Sequence, residues 1–106
     1  MKKLEDLFCV EKMTPNWQLA FKLGATEIFN DDVIVNHYVQ DGICVINSGS
    51  ASGGKFPLSA MRHIKKIVRQ HDKVILSSEV ESMVRHITVI YGGVFDSANK
   101  TYTKGI

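Results

Sequence analysis

Residues 42–70 constrain the fold more than any other part of the chain. An apolar run (Ile43, Cys44, Val45, Ile46) gives way to a small, polar, glycine-bearing segment, residues 47–55, and Pro57 then opens a basic amphipathic stretch to Gln70. A short β-branched run bounded by turn residues suits a buried strand, and proline is tolerated in the first turn of a helix. The sequence therefore predicts strand, loop and helix in succession. A helix N-terminus reached from flexible backbone leaves several amide N–H groups unpaired and aimed one way, and the helix dipole adds partial positive charge there. Phosphate suits such a place, so Ser48-Gly49-Ser50-Ala51-Ser52-Gly53-Gly54-Lys55-Phe56 is the first candidate site.

At 106 residues the chain has room for one core and not for two nucleotide-binding halves. Its composition, 44% hydrophobic and 23% charged, can bury a core and argues against disorder away from the ends. Met1-Lys2-Lys3 is followed by Glu5, Asp6 and Glu11, where a signal peptide needs an uninterrupted apolar region. No run approaches a membrane span in length. The expectation is one cytoplasmic domain, residues 1–106, without a membrane. Cys9 and Cys44 lie in apolar settings and form no Cys-x-x-Cys pair, which suits core residues in a reducing compartment.

Periodicity supplies the remaining elements. Residues 3–13 place Leu4, Leu7 and Phe8 at helical spacing, a short docking helix. Thr14-Pro15 reads as a helix start, Trp17, Ala20 and Phe21 as its inner face, and Gly24 as its stop. A short strand over 26–29 and a turn at Asn30-Asp31-Asp32 precede the run 33–39; Asp41-Gly42 is a hairpin signal that sends the chain back through 43–46. In the helix that follows, Leu58, Met61, Ile64 and Val68 form the expected inward stripe, with Arg62, Lys65, Lys66 and Arg69 outside. Residues 73–76 read as a short buried strand. Ser78 and Glu81 have capping-box spacing before a helix on Val80, Met83, Val84, Ile87, Ile90 and Tyr91, ended by Gly92-Gly93; 94–96 and 101–103 make a closing hairpin. The fold class is α/β, a mixed central sheet with helices on its faces.

From the first hairpin onward this order, with the tail Ser77-Ser78-Glu79-Val80-Glu81-Ser82-Met83, Tyr91-Gly92-Gly93-Val94-Phe95-Asp96 and Tyr102-Thr103-Lys104-Gly105, resembles the GCN5-related N-acetyltransferases, in particular small acetyltransferase-like proteins of bacteriophages. The resemblance implies a truncated acyl-CoA N-acyltransferase-like fold. It implies that acetyl-CoA lies between splayed central strands, with its pyrophosphate held by Ser52, Gly53, Gly54 and Lys55 at the start of the helix from Pro57. It also implies acetyl transfer to an amine in the host cytoplasm. The family's phosphate loop, Gln/Arg-x-x-Gly-x-Gly/Ala, matches Ser50-Ala51-Ser52-Gly53-Gly54-Lys55 at Gly53 alone. Where the family carries the tyrosine that protonates the departing sulfur, this chain has Thr88; Tyr91 is out of register by almost a turn. No general base is matched by position, although Glu79 and His37 have the chemistry, so the catalytic residues stay unassigned. The alternative is a catalytically inactive phage-encoded protein that binds a host protein to inhibit or redirect it.

Other chemistries find less support. Gly49 to Lys55 spells Gly-x-x-x-x-Gly-Lys, but Phe56 stands where a P-loop needs Ser or Thr for magnesium. A flexible connector without any ligand accounts for the same loop. The basic face, with no interleaved aromatics, reads as a solvated helix surface in preference to a nucleic-acid footprint. His37, His63, His71 and His86 lack ligand spacing for a metal. A Cys44–His37 dyad across the hairpin is weighed against a structural thiol, and the structural role is preferred.

Overall fold

The computed structural model describes residues 15–50, 56–78 and 80–106. They form three helices, α1 (Pro15–Leu23), α2 (Leu58–Gln70) and α3 (Glu81–Tyr91), and six strands, β1 (Ala25–Phe29), β2 (Val33–Gln40), β3 (Ile43–Ser50), β4 (Val74–Ser77), β5 (Val94–Asp96) and β6 (Thr101–Lys104). The strands make one mixed sheet in the order β1-β2-β3-β4-β6-β5. β3 and β4 are its parallel pair, and the other neighbours are antiparallel. The α/β class is as the sequence implies. The docking helix over 3–13 and Cys9 lie outside the described residues.

The β2–β3 hairpin fixes the register of the centre. Asp41 and Gly42 both have positive φ, 54° and 78°, as a two-residue turn of matching twist requires. Gln40 is thereby opposite Ile43, and the ladder continues to Val33 opposite Ser50. β3 is four residues longer than its apolar run, which corrects the expectation of a loop from Asn47 onward. The reason is non-local: β2 offers pairing partners down to Val33, and the inward Ser48 is buried with its hydroxyl satisfied.

Alternation along the strands divides the sheet into two faces. On one, Val33, Val35, Cys44, Ile46, Val74, Leu76 and Tyr102 form the core with Ala60, Ile64, Ile67 and Val68 of α2 and Met83, Val84 and Ile87 of α3. On the other lies α1, whose Ala20 is fully buried and whose Trp17 ring comes 3.7 Å from where a Cβ on Gly49 would stand. The inward stripe of α2 needs correcting: Leu58 is exposed, Met61 is half-buried, and Ala60 and Ile67 take inward places. At about 100° per residue Leu58 points about 120° from Ile64, whereas Ala60 and Val68 lie about 40° to either side. The Ser78–Glu81 capping box does not form. α3 begins only at Glu81, after Val80; the Ser78 hydroxyl accepts from the Val80 N–H, and Glu81 instead pairs with Arg85 at 2.7 Å. Among the described residues no helix is long and apolar enough to cross a membrane.

Candidate functional site

The parallel ladder between β3 and β4 runs from Cys44 opposite Val74 to Asn47 opposite Ser77 and stops, because β4 ends there. β3 continues through Ser48, Gly49 and Ser50, along which the ladder with β2 runs as far as Val33 opposite Ser50, before the chain enters residues 51–55. Where the parallel ladder ends, the buried Ser48 hydroxyl donates to the Ser78 hydroxyl at 2.9 Å. Ser78 also accepts the N–H of Val80 at 3.1 Å, so one oxygen ties β3 to the entry of α3. Neither α2, preceded by Pro57, nor α3, preceded by Val80, has a side-chain cap at its start, and the first turn of α2 has no acidic residue. Their amide N–H groups and dipoles favour an anion.

The opposite face at the same level carries a feature that the sequence reading passed over. Thr26, Asn36, Asn47, Ser77, Thr101 and Asp96 stand in register across all six strands, a continuous polar row on the face of α1. The signal was present in the turn, because a two-residue loop at Asp41-Gly42 makes Asn36 face Asn47. Asn36 is fully buried, and its amide nitrogen donates to Ala20 O at 2.8 Å and to Thr26 Oγ1 at 2.9 Å. Its Oδ1 is buried without a hydrogen-bond partner among the described residues. Asp96 at the end of the row accepts from the Asn99 side chain and from the N–H groups of Asn99 and Ala98, which hold its carboxyl below the usual range.

Among the groups with candidate chemistry, Cys44 is buried opposite Val39, and burial pushes its thiol up to about 11, against a nucleophile paired with His37. Tyr102 is core: it donates to Gly92 O at 2.7 Å, and burial, then the neighbouring Tyr91, raise its phenol. Thr88 donates back to Val84 O at 2.9 Å within α3. Tyr91 is half-buried and His86 exposed. Arg62, Lys66 and Arg69 are exposed along α2 and make no ion pair among the described residues. No three metal-ligating side chains converge among those residues. Ser52, Gly53, Gly54 and Lys55, the candidate coenzyme-binding residues, lie outside the described residues, as does Glu79. No family model, no curated protein and no solved structure matches the chain.

Proposed function

We propose that this protein is a small acetyltransferase-like domain that takes acetyl-CoA where the parallel β3–β4 ladder ends. The observation that carries the reading is that ladder ending at Asn47–Ser77 while β3 runs on to Ser50, in the stretch of chain that leads to α2. The strand order, with one parallel pair at its centre, supports the truncated acyl-CoA N-acyltransferase-like arrangement that the element order suggests. Ser52, Gly53 and Gly54 with Lys55 would hold the pyrophosphate. An amine on the side of the polar row would attack the thioester carbonyl carbon directly. The carbon–sulfur bond then breaks, the acetyl group stays on nitrogen, and the amine proton leaves as the CoA thiolate is protonated. Titration calorimetry and thermal shift with acetyl-CoA test this: binding at millimolar ligand must raise the melting temperature, and Gly53→Asp must abolish the rise. No heat and no shift in the parent protein would remove the reading.

The position of Thr88 favours a second reading. Its hydroxyl is turned into its own helix and Tyr102 is committed to Gly92, so neither protonates a leaving sulfur at the ladder's end. On this reading the scaffold is an inactive binding protein, encoded by a phage, that inhibits or redirects a host protein. A stoichiometric partner recovered from bacterial lysate and retained by Gly53→Asp would favour it over the transferase.

A further inference from the structure

Away from the end of the β3–β4 ladder, two imidazoles meet between β2 and α2, each with a buried nitrogen that has no hydrogen-bond partner among the described residues. His37 projects from β2 toward the helical face and His63 comes from the flank of α2; their ring centroids are 6.2 Å apart and their planes cross at 68°. Phe29 of β1 packs against His63 at 5.4 Å. His37 Nδ1 and His63 Nε2 are both buried without a hydrogen-bond partner. A buried ring nitrogen left so bears a desolvation cost that no hydrogen bond offsets. Both residues are half-buried, so adding a proton to His37 places a charge in partly desolvated surroundings, which is more costly.

The charges around His37 do not offset this. Glu27 on β1 favours its protonation, while His63 and His71 of the α2 region oppose it, and β3 presents the apolar Ile46 opposite. Burial first, and then the two histidines, outweigh Glu27 and hold His37 below the ordinary histidine value of 6.5. We propose that the His37–His63 contact is an acid-sensitive latch: α2 stays packed against β2 while His37 is neutral and is released when His37 takes up a proton.

The sign follows from linkage. With the closed-state value lowered, opening binds a proton as pH falls below 6.5, so closure is intact above 6.5 and lost progressively below it. The opening constant rises by up to about tenfold per pH unit until the closed state is itself protonated. β3 ends at Ser50 and α2 starts at Leu58, so release of α2 also moves its N-terminus relative to the end of β3; any effect of that on a ligand rests on the acetyl-CoA reading, but the latch does not.

Amide hydrogen exchange at pH 7.5 and 5.5, corrected for intrinsic rates, reads the latch directly. The opening constant of α2 amides is expected to rise severalfold, up to about tenfold, relative to those of α3. His37→Gln should remove that rise and the exposed His86→Gln should keep it. An equal rise in α2 and α3, or a rise that survives His37→Gln, overturns the proposal. If His37→Gln does not fold, the ring resonances of His37 in the parent protein serve instead: they must titrate below 6.5 with the same midpoint as α2 protection, and separate midpoints overturn it.

Discussion

The side-chain amide of Asn36 donates to the carbonyl of Ala20 at 2.8 Å, fastening the last turn of α1 to the middle of β2. The same nitrogen reaches Thr26 Oγ1, and Ala20 O also receives the N–H of Gly24 at 2.9 Å. Asn36→Ala therefore deletes one buried and one partly buried hydrogen bond but leaves the carbonyl one donor. The expected cost is about 1–3 kcal/mol, seen as a lower urea midpoint with an unchanged slope. Asn36→Asp should cost more, because a carboxylate would face the Ala20 carbonyl. A neutral Asn36→Ala would mean that α1 is held by apolar contact alone.

From the other face, Lys104 of β6 reaches Val68 O at 2.8 Å in the last turn of α2. A cation at the negative end of a helix stabilises it by about 0.3–1 kcal/mol, and by up to about 2 when partly buried. Lys104 is half-buried. Lys104→Met is expected to lower the melting temperature by a few degrees, and Lys104→Glu by more, in differential scanning calorimetry. If the two variants melt together, the contact is steric and the dipole plays no part.

These ties show which parts of the fold the sequence could disclose. Asp41-Gly42 fixed the hairpin and with it the whole β2–β3 register, because turn chemistry is local. The stripe Met83, Val84 and Ile87 placed α3 on the core for the same kind of reason. What escaped was decided across the chain. Asn47, Ser48, Gly49 and Ser50 have poor strand propensity and become strand because β2 pairs them. Ser78 does not cap its helix as spelled, since its hydroxyl serves Ser48, 30 residues away. The polar row, and the meeting of His37 with His63, depend on register and helix rotation that no local pattern spells.

Two glycines separate steric from torsional constraint. At Gly24 a Cβ would stand 2.3 Å from the His37 carbonyl oxygen, so Gly24→Ala must push α1 away from β2. Gly42 has φ of +78° but open space around it, so Gly42→Ala meets only the left-handed penalty. The expected losses are about 3 kcal/mol at Gly24 and about 1 kcal/mol at Gly42, measured by chemical denaturation. Equal losses would show that α1 can shift at no cost.

Cys44 gives a prediction in alkali. Its thiol is buried beneath the helices and pushed up from 9.0 to about 11, with burial as the cause. The folded state therefore keeps a proton that the unfolded chain releases, and the stability so gained is whole below pH 9 and lost as pH rises through about 11. In a Cys9→Ser background, Cys44 should resist a disulfide reagent at pH 8 and react at the rate of a free thiol once urea unfolds the protein. Cys44→Ala should flatten the fall in unfolding free energy above pH 9, because the thiol faces the core. Rapid labelling of the native protein would show that Cys44 is not held in the core.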